Sequence, residues 1–415
     1  MKKGLTTMII MALTAASCTS SDKMQNSDDF EYCNERFADL QMLRYKVDGF
    51  ENLTLKQKTF IYYLQEAALW GRDILFDQNG KYNLEIRQTL ENLYANYKGD
   101  RESKDFKAFE VYLKRVWFSN GIHHHYGCEK FIPEFSREWF VEQTKCSDEL
   151  AEIIFNPNIM AKRVNLADGQ DLLLTSACNY YQGVTQKEAE EFYAREKANG
   201  DQQHPVMHGM NSTLVNGKDG KIYEERWTTT DKYGPYLTKI VENLKKARDY
   251  AEDEKQKEVI DKLVAFYETG DLKTFDEYSI AWVENTAPLV DFVNGFIECY
   301  GDPLGLKSSW ESIVNFKDVE ATKRAEKLSQ NAQWFENNSP VDPKFKKDKV
   351  KGVSAKVIRA AILGGDLYPS TAIGINLPNS NWVRAEHGSK SVTIANLTHA
   401  YAQAAKGSGM MKEFA

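Results

Sequence analysis

Through most of its first half the chain repeats apolar residues at helical spacing. Thr54 and Gln57 stand three apart ahead of such a run, the signature of a capping box that opens a helix. Phe60, Tyr63, Leu64, Ala67, Ala68, Gly71, Ile74 and Leu75 follow on one face. Gly71 lies in that apolar track, where a missing side chain lets another backbone or ring come close. Ile86, Leu90, Leu93, Tyr94 and Tyr97 predict a second helix, and Phe106, Phe109, Leu113, Val116 and Trp117 a third. From Pro235 to Gly270 the pattern is helical again, charged on one side, with Ile240, Leu244, Ala247 and Ala251 as its apolar track. Clusters of Gly, Asn and Asp near 79–80, 99–100, 199–201 and 216–220 punctuate these units.

Strand patterns are thinner. Leu172–Thr175 is one expected strand. Met210–Val215, a turn over Asn216–Gly220 and Lys221–Trp227 together predict a hairpin. Ala372–Leu377 is a third short apolar strand. Helices first, a few strands later and no alternation of strand with helix predict a mostly helical α+β fold. No internal repeat runs at a fixed period.

Composition adds limits. The chain has 415 residues, enough for two or more compact units, and 42% hydrophobic with 12% aromatic residues requires a large folded core. A net charge of −7 provides no electrostatic footprint for nucleic acid. At the start, the basic Met1-Lys2-Lys3 precedes a mostly apolar run from Leu5 to Ala16 and then Ala15-Ala16-Ser17-Cys18. That run is shorter than the roughly 20 residues needed to span a bilayer, so residues 1–18 read as a signal peptide. Small residues ahead of a cysteine predict a lipoprotein acylated at Cys18, exported and membrane-anchored in a bacterial envelope. Ordinary secretion is the rival reading. Residues 19–29 are polar and read as a tether. Cys33, Cys128, Cys146, Cys178 and Cys299 are scattered without a CxxC pair, which excludes a disulfide scaffold or zinc ribbon.

Candidate metal-binding patterns are weak. His123-His124-His125 are consecutive, and neighbouring side chains diverge on a helix or strand, so a polar loop lining a cleft is the favoured reading. His204 and His208 have helical spacing, but Pro205 and Gly209 oppose a helix there and the glutamate of HExxH is absent. No HExxH, HExxGH, GxSxG, P-loop or GxGxxG occurs in these 415 residues. Gly364-Gly365 before Asp366 reads as a turn.

Two longer blocks carry more information. Pro288-Leu-Val-Asp-Phe-Val-Asn-Gly-Phe-Ile-Glu-Cys-Tyr-Gly-Asp302-Pro-Leu-Gly305 and Leu363-Gly-Gly-Asp-Leu-Tyr-Pro-Ser-Thr-Ala-Ile-Gly-Ile-Asn-Leu-Pro-Asn379 resemble, in order and spacing, two blocks of the dipeptidyl peptidase III family. The loop from His125 to Pro133 is similar to that family's first-lobe loop, and the similarity extends over residues 30–405. The resemblance implies a zinc exopeptidase of two lobes around a cleft, removing dipeptides from the N-termini of short peptides. Its first lobe, with a small β-core, would comprise 30–311 and 361–405, and the helical excursion 312–360 would belong to the second. Asp291, Asn376 and Asn379 would hold the peptide ammonium, and the backbone of Ala372, Ile373 and Gly374 would pair with the substrate. Asp291 stands where many relatives have Glu, and Val293 where some have a substrate-contacting Tyr. In relatives the zinc helix follows the segment matching 406–415. From this come the expectations that the chain alone binds no zinc, has no catalytic residue and is inactive, and that its isolated product has poor solubility. The alternatives are a non-catalytic peptide-binding lipoprotein and a helix-rich glycan-binding surface lipoprotein.

Overall fold

The computed structural model describes residues 30–350, 353–369 and 371–405. Residues 1–18, expected to be a signal peptide ending at Cys18, residues 19–29, expected to be a tether, and residues 406–415 lie outside them. No helix among the described residues is long and apolar enough to cross a membrane.

After a hairpin of β1 (Cys33–Phe37) and β2 (Leu40–Leu43), α1 (Leu55–Trp70) starts at the expected capping box. Thr54 N–H donates to Gln57 Oε1 at 3.0 Å, and Gln57 N–H donates to Thr54 Oγ1 at 3.3 Å. The apolar track continues past Gly71 into α2 (Arg72–Asn79), so two helices stand where one was read. Four further helices, α3 (Asn83–Asn96), α4 (Lys104–Phe118), α5 (Arg137–Thr144) and α6 (Asp148–Phe155), surround their own apolar core of Ile86, Leu90, Phe109, Leu113, Phe140 and Ile154.

Leu172–Thr175 is a turn and not the expected strand. Asp171 accepts the N–H groups of Leu173 and Leu174, both at 3.0 Å, and this local capping outweighs the apolar run. β3 (Tyr181–Gln182), α7 (Gln186–Asn199), β4 (Ser212–Asn216) and β5 (Ile222–Arg226) follow; β4 and β5 are the expected hairpin, and β3 adds to it in parallel. The pattern from Pro235 to Gly270 is two helices, α8 (Gly234–Arg248) and α9 (Glu254–Thr269), broken where Asp253 caps the second. With α10 (Leu272–Glu284) they pack against the main sheet in the larger core.

That sheet contains β6 (Val290–Glu298), β7 (Ser309–Lys317), β8 (Val353–Gly365), β9 (Gly374–Leu377) and β10 (Ser389–Ile394), in the order β6-β7-β8-β10-β9. Only the β8–β10 pair is parallel. Helices α11 (Val319–Gln330) and α12 (Ala332–Asn338) fill the connection from β7 to β8, so the segment 312–360 begins and ends inside strands. Leu328, Trp334, Phe335 and Phe345 on this connection are exposed. Between β9 and β10 lies α13 (Asn381–Glu386), and α14 (Ala395–Ala404) closes the described chain.

Although β6 and β9 are opposite edges of the sheet, the segments around them come into contact. Lys390 on β10 reaches Asp291 on β6 at 2.8 Å, and Asn379 just past β9 donates to the Ile297 carbonyl at 3.2 Å. The sheet therefore curls until its edges face one another, which brings the two sequence blocks together.

Candidate functional site at the seam of the curled sheet

β9 has β10 as its neighbour on one side, with Asn376 opposite Ser391 and Gly374 opposite Thr393, and among the described residues no strand on the other. Ile373, Gly374 and Asn376 are exposed. Ala372 and Ile373 precede the strand, but Ile373 already belongs to the pairing through its carbonyl, which accepts from Ile394 N–H at 2.9 Å. A row of backbone groups along this edge can take an extended peptide as an additional strand. Among the described residues no side chain hydrogen-bonds the Asn376 amide.

Asn379 is half-buried at the end of the same segment. Its amide nitrogen donates to Ile297 O and steadies the Glu298 carboxylate, which leaves its oxygen as an acceptor. Glu298 is a residue that sequence reasoning passed over. Burial, and next the Asp366 carboxylate, raise its pKa while the Asn379 bond opposes them. The signal for it was its place in the GFIE run, but contact with Asn379 depends on closure of the sheet.

Asp291 is differently placed from the two asparagines. Its carboxylate is already paired with Lys390, whose side chain is 1% exposed and whose ammonium lies 4.1 Å from the centre of the Trp282 ring. Trp282 Nε1 donates to its other oxygen at 3.1 Å. Lys317 and Lys356 also approach, and both have lowered pKa values, Lys356 to about 8, chiefly from burial. Asp291 is thus the anion among three converging lysines.

Between α10 and this seam lies an apolar cleft. Phe275, Tyr278 and Trp282 form one wall, Val293 and Ile297 another, and Leu377-Pro378 with Asn379 the rim.

Residues 175–413 match the model of peptidase family M49. This chain belongs to that family. It is 25% identical over 393 residues to dipeptidyl peptidase 3 of Dictyostelium discoideum, covering 84% of this chain and 54% of the relative. It is 23% identical over 407 residues to dipeptidyl peptidase 3 of Homo sapiens, covering 86% and 54%. The solved structure of DPP III from Caldithrix abyssi superposes with a TM-score of 0.63 at 20% identity, over 85% of this chain and 57% of that one. The chain spans about half the length of the curated relatives it matches. The M49 match covers both blocks read from the sequence, and the structural likeness supports the α+β fold.

M49 is a family of metallopeptidases, so zinc is the ion its members' sites would hold. Among the described residues no group of three His, Cys, Asp or Glu side chains is placed to hold a metal. His123 is buried, with its Nε2 2.7 Å from the Met160 carbonyl, and burial lowers its pKa to about 4. His124 Nδ1 accepts from Tyr126 N–H and Gly127 N–H, both at 3.1 Å, and so builds a turn. His204 lies against Trp382, ring centres 4.4 Å apart, and its Nε2 is 3.1 Å from Glu386. These described residues do not fit the ion.

The DPLG turn of the first block has a structural task. Asp302 is buried and accepts from the N–H groups of Leu304, Leu306 and Lys307 and from the Tyr181 hydroxyl, at 3.2, 2.7, 2.8 and 2.9 Å. The following Lys307 is fully buried; its ammonium donates to the Tyr193 hydroxyl and to Ser212 Oγ, and burial lowers its pKa to about 8. The five cysteines among the described residues are free thiols.

Beside the cleft, Asp276 on α10 is buried and its carboxyl is pushed up to about 7 from an ordinary 3.8, mainly by burial, with the nearby Trp382 indole opposing the shift. A carboxyl with a raised folded-state pKa contributes stability that is fully present below about pH 4 and lost as pH rises through about 7. Asp276→Asn is therefore expected to be more stable than the parent by on the order of 2–4 kcal/mol above pH 7. The gap should shrink as pH falls toward 4. Urea unfolding of both proteins across this range checks it.

Proposed function

We propose that this chain binds the free N-terminus of a short peptide laid along β9. In this reading Asn376 and Asn379 accept hydrogen bonds from the ammonium, and Asp291 supplies nearby negative charge that it shares with Lys390. The backbone of Ala372 and Gly374, on either side of Ile373, which faces β10, pairs with the peptide, which makes recognition tolerant of side-chain sequence. The observation that carries the reading is the open β9 edge, with an exposed Asn376 and with the Asn379 amide nitrogen committed internally so that its oxygen is available. An ammonium has three donors and a full charge, and each hydrogen bond to it contributes about 1.5–3 kcal/mol. The M49 membership and the relatives named dipeptidyl peptidase 3 support a peptide substrate.

Titration calorimetry with a short amidated peptide and its N-acetylated form tests this. Binding is expected for the free amine and not for the acetylated form. Asn379→Ala should weaken binding roughly 10- to 100-fold, about 1.5–3 kcal/mol. Equal affinity for the two peptides would overturn the reading.

The 415 residues contain no HExxGH, so we expect this chain by itself to bind peptides without cleaving them. Zinc-dependent dipeptide release by the purified 415-residue chain would refute that expectation. We also propose that a lipid on Cys18 anchors the chain to a membrane, checked by loss of labelled palmitate incorporation in Cys18→Ala.

A further inference from the structure

We infer that α13 is a pH-operated clasp: two histidine–glutamate pairs hold it down in mildly acidic solution and loosen it in mildly alkaline solution. This motion is independent of what Asn379 binds. α13 has six residues and lies in the connection from β9 to β10. A helix so short is not stable alone, since isolated helices need roughly 12–15 residues. Its place therefore depends on what it is tied to. Val383 is buried, and Trp382 lies near two histidines, its ring centre 4.4 Å from that of His204 and 6.1 Å from that of His387. The last residue of α13, Glu386, and the following His387 turn to different neighbours. Glu386 Oε1 is 3.1 Å from Nε2 of His204, on the loop between α7 and β4. His387 Nδ1 is 3.0 Å from Oε1 of Glu284, the last residue of α10. One pair thus ties the end of α13 to each of two elements distant in the chain.

Histidine is the side chain that changes charge between about pH 5 and 8, and a carboxylate beside it favours the charged form. Each pair therefore contributes at low pH and loses its ionic part as pH rises. Asp276 on α10, near Trp382, acts in the same direction. Burial favours its neutral form, so a buried charge appears beside α13 as pH rises through about 7. Other charges surround the pairs. Asp201 accepts the backbone N–H of His204 at 3.0 Å, His208 is on the same loop, and Lys273 of α10 adjoins Asp201. On the other side, the crevice that holds Glu284 also contains Asp253, Glu254 and Lys255. The paired side chains are 35% and 49% exposed for His204 and Glu386, and 29% and 58% for His387 and Glu284. Water screens pairs this open, so each is worth up to about a fivefold change in the opening equilibrium. The two pairs and Asp276 add in one direction.

Hydrogen–deuterium exchange of the full chain at pH 5.5 and pH 8, corrected for the intrinsic pH dependence of amide exchange, tests this. Protection of residues 381–388, taken relative to α8, is expected to fall about tenfold or more between the two conditions. Asp276→Asn carries no charge at either pH and so isolates the histidine pairs; in it the fall should still be about fivefold. Adding His204→Gln and His387→Gln keeps side chains that can hydrogen-bond the glutamates but never become charged, and protection should then be the same at both pH values. Equal protection at the two pH values in Asp276→Asn overturns the clasp. So does a fall that persists in the folded triple variant. A fall shared by α8 is loosening of the whole fold and overturns it as well. Should the triple variant not fold, Glu284→Gln with Glu386→Gln in the Asp276→Asn background removes the same pairs from their other side and is read in the same way.

Discussion

Asp291→Ala is expected to destabilise the protein by about 3–5 kcal/mol, the usual cost of leaving one member of a buried ion pair without its partner. The Lys390 ammonium would remain in a site where its side chain is 1% exposed, with Lys317 and Lys356 nearby. Trp282 would also lose one of its two acceptors and keep the Phe292 carbonyl at 2.9 Å. Asp291→Ala combined with Lys390→Met should recover most of the loss, because no unpaired charge then remains buried. Urea midpoints of the parent, both single variants and the double variant measure the coupling. A parent-like Asp291→Ala would show that the pair contributes nothing and that the carboxylate is free for a ligand. The cycle also bears on function, since weaker peptide binding by an Asp291 variant can be read as lost ligand contact only when the variant is folded.

Gly71→Ala should cost about 2–3 kcal/mol, although alanine is the better helix former by about 1 kcal/mol. The backbone there has φ −78°, which any residue adopts, so the cost is steric. A Cβ at this position would stand 2.0 Å from the Trp310 ring. Trp310 is fully buried and held at both ends, its N–H by Gln78 Oε1 at 2.9 Å and its indole nitrogen by the Tyr267 hydroxyl at 3.1 Å. The ring cannot move aside without breaking a buried hydrogen bond. Tryptophan fluorescence during urea unfolding reports both the midpoint and the ring's environment, and an unchanged midpoint would show that α1 and α2 can shift to make room.

Much of the helical part was legible because its evidence is local. The capping box at Thr54, the faces of α1 to α4 and the hairpin of β4 and β5 each lie within a few turns or one tight loop. Gly71 was legible as a point of close approach, though not as the seat of Trp310, which lies far along the chain. The main strands were harder. β7 is buried at eight successive positions, so apolar and polar residues do not alternate along it, and the period that marks a one-faced strand is missing. Leu172–Thr175 was misread for the opposite reason: its apolar run is a strand pattern, but Asp171 satisfies the backbone locally.

The candidate site divides in the same way. The GIN-hydrophobic-PN segment and the GFIE run could be read as blocks, and with them Asn376, Asn379 and Asp291. Their order along the chain could also be read. Whether a carboxylate in those blocks is free or already paired depends on residues a hundred positions apart, and here Lys390 pairs with Asp291 only because the sheet curls. The cleft beside Asn379 and the role of Glu298 arise from that same closure.

By itself the sequence determined the helix-forming segments, the class of fold and the family blocks, because these reside in short-range pattern and composition. Only the tertiary structure decided which edges of the sheet meet, which buried charges are satisfied and where an apolar cleft is left over. Those follow from packing between distant segments, where burial sets the strength of each pair and no local period records the partner.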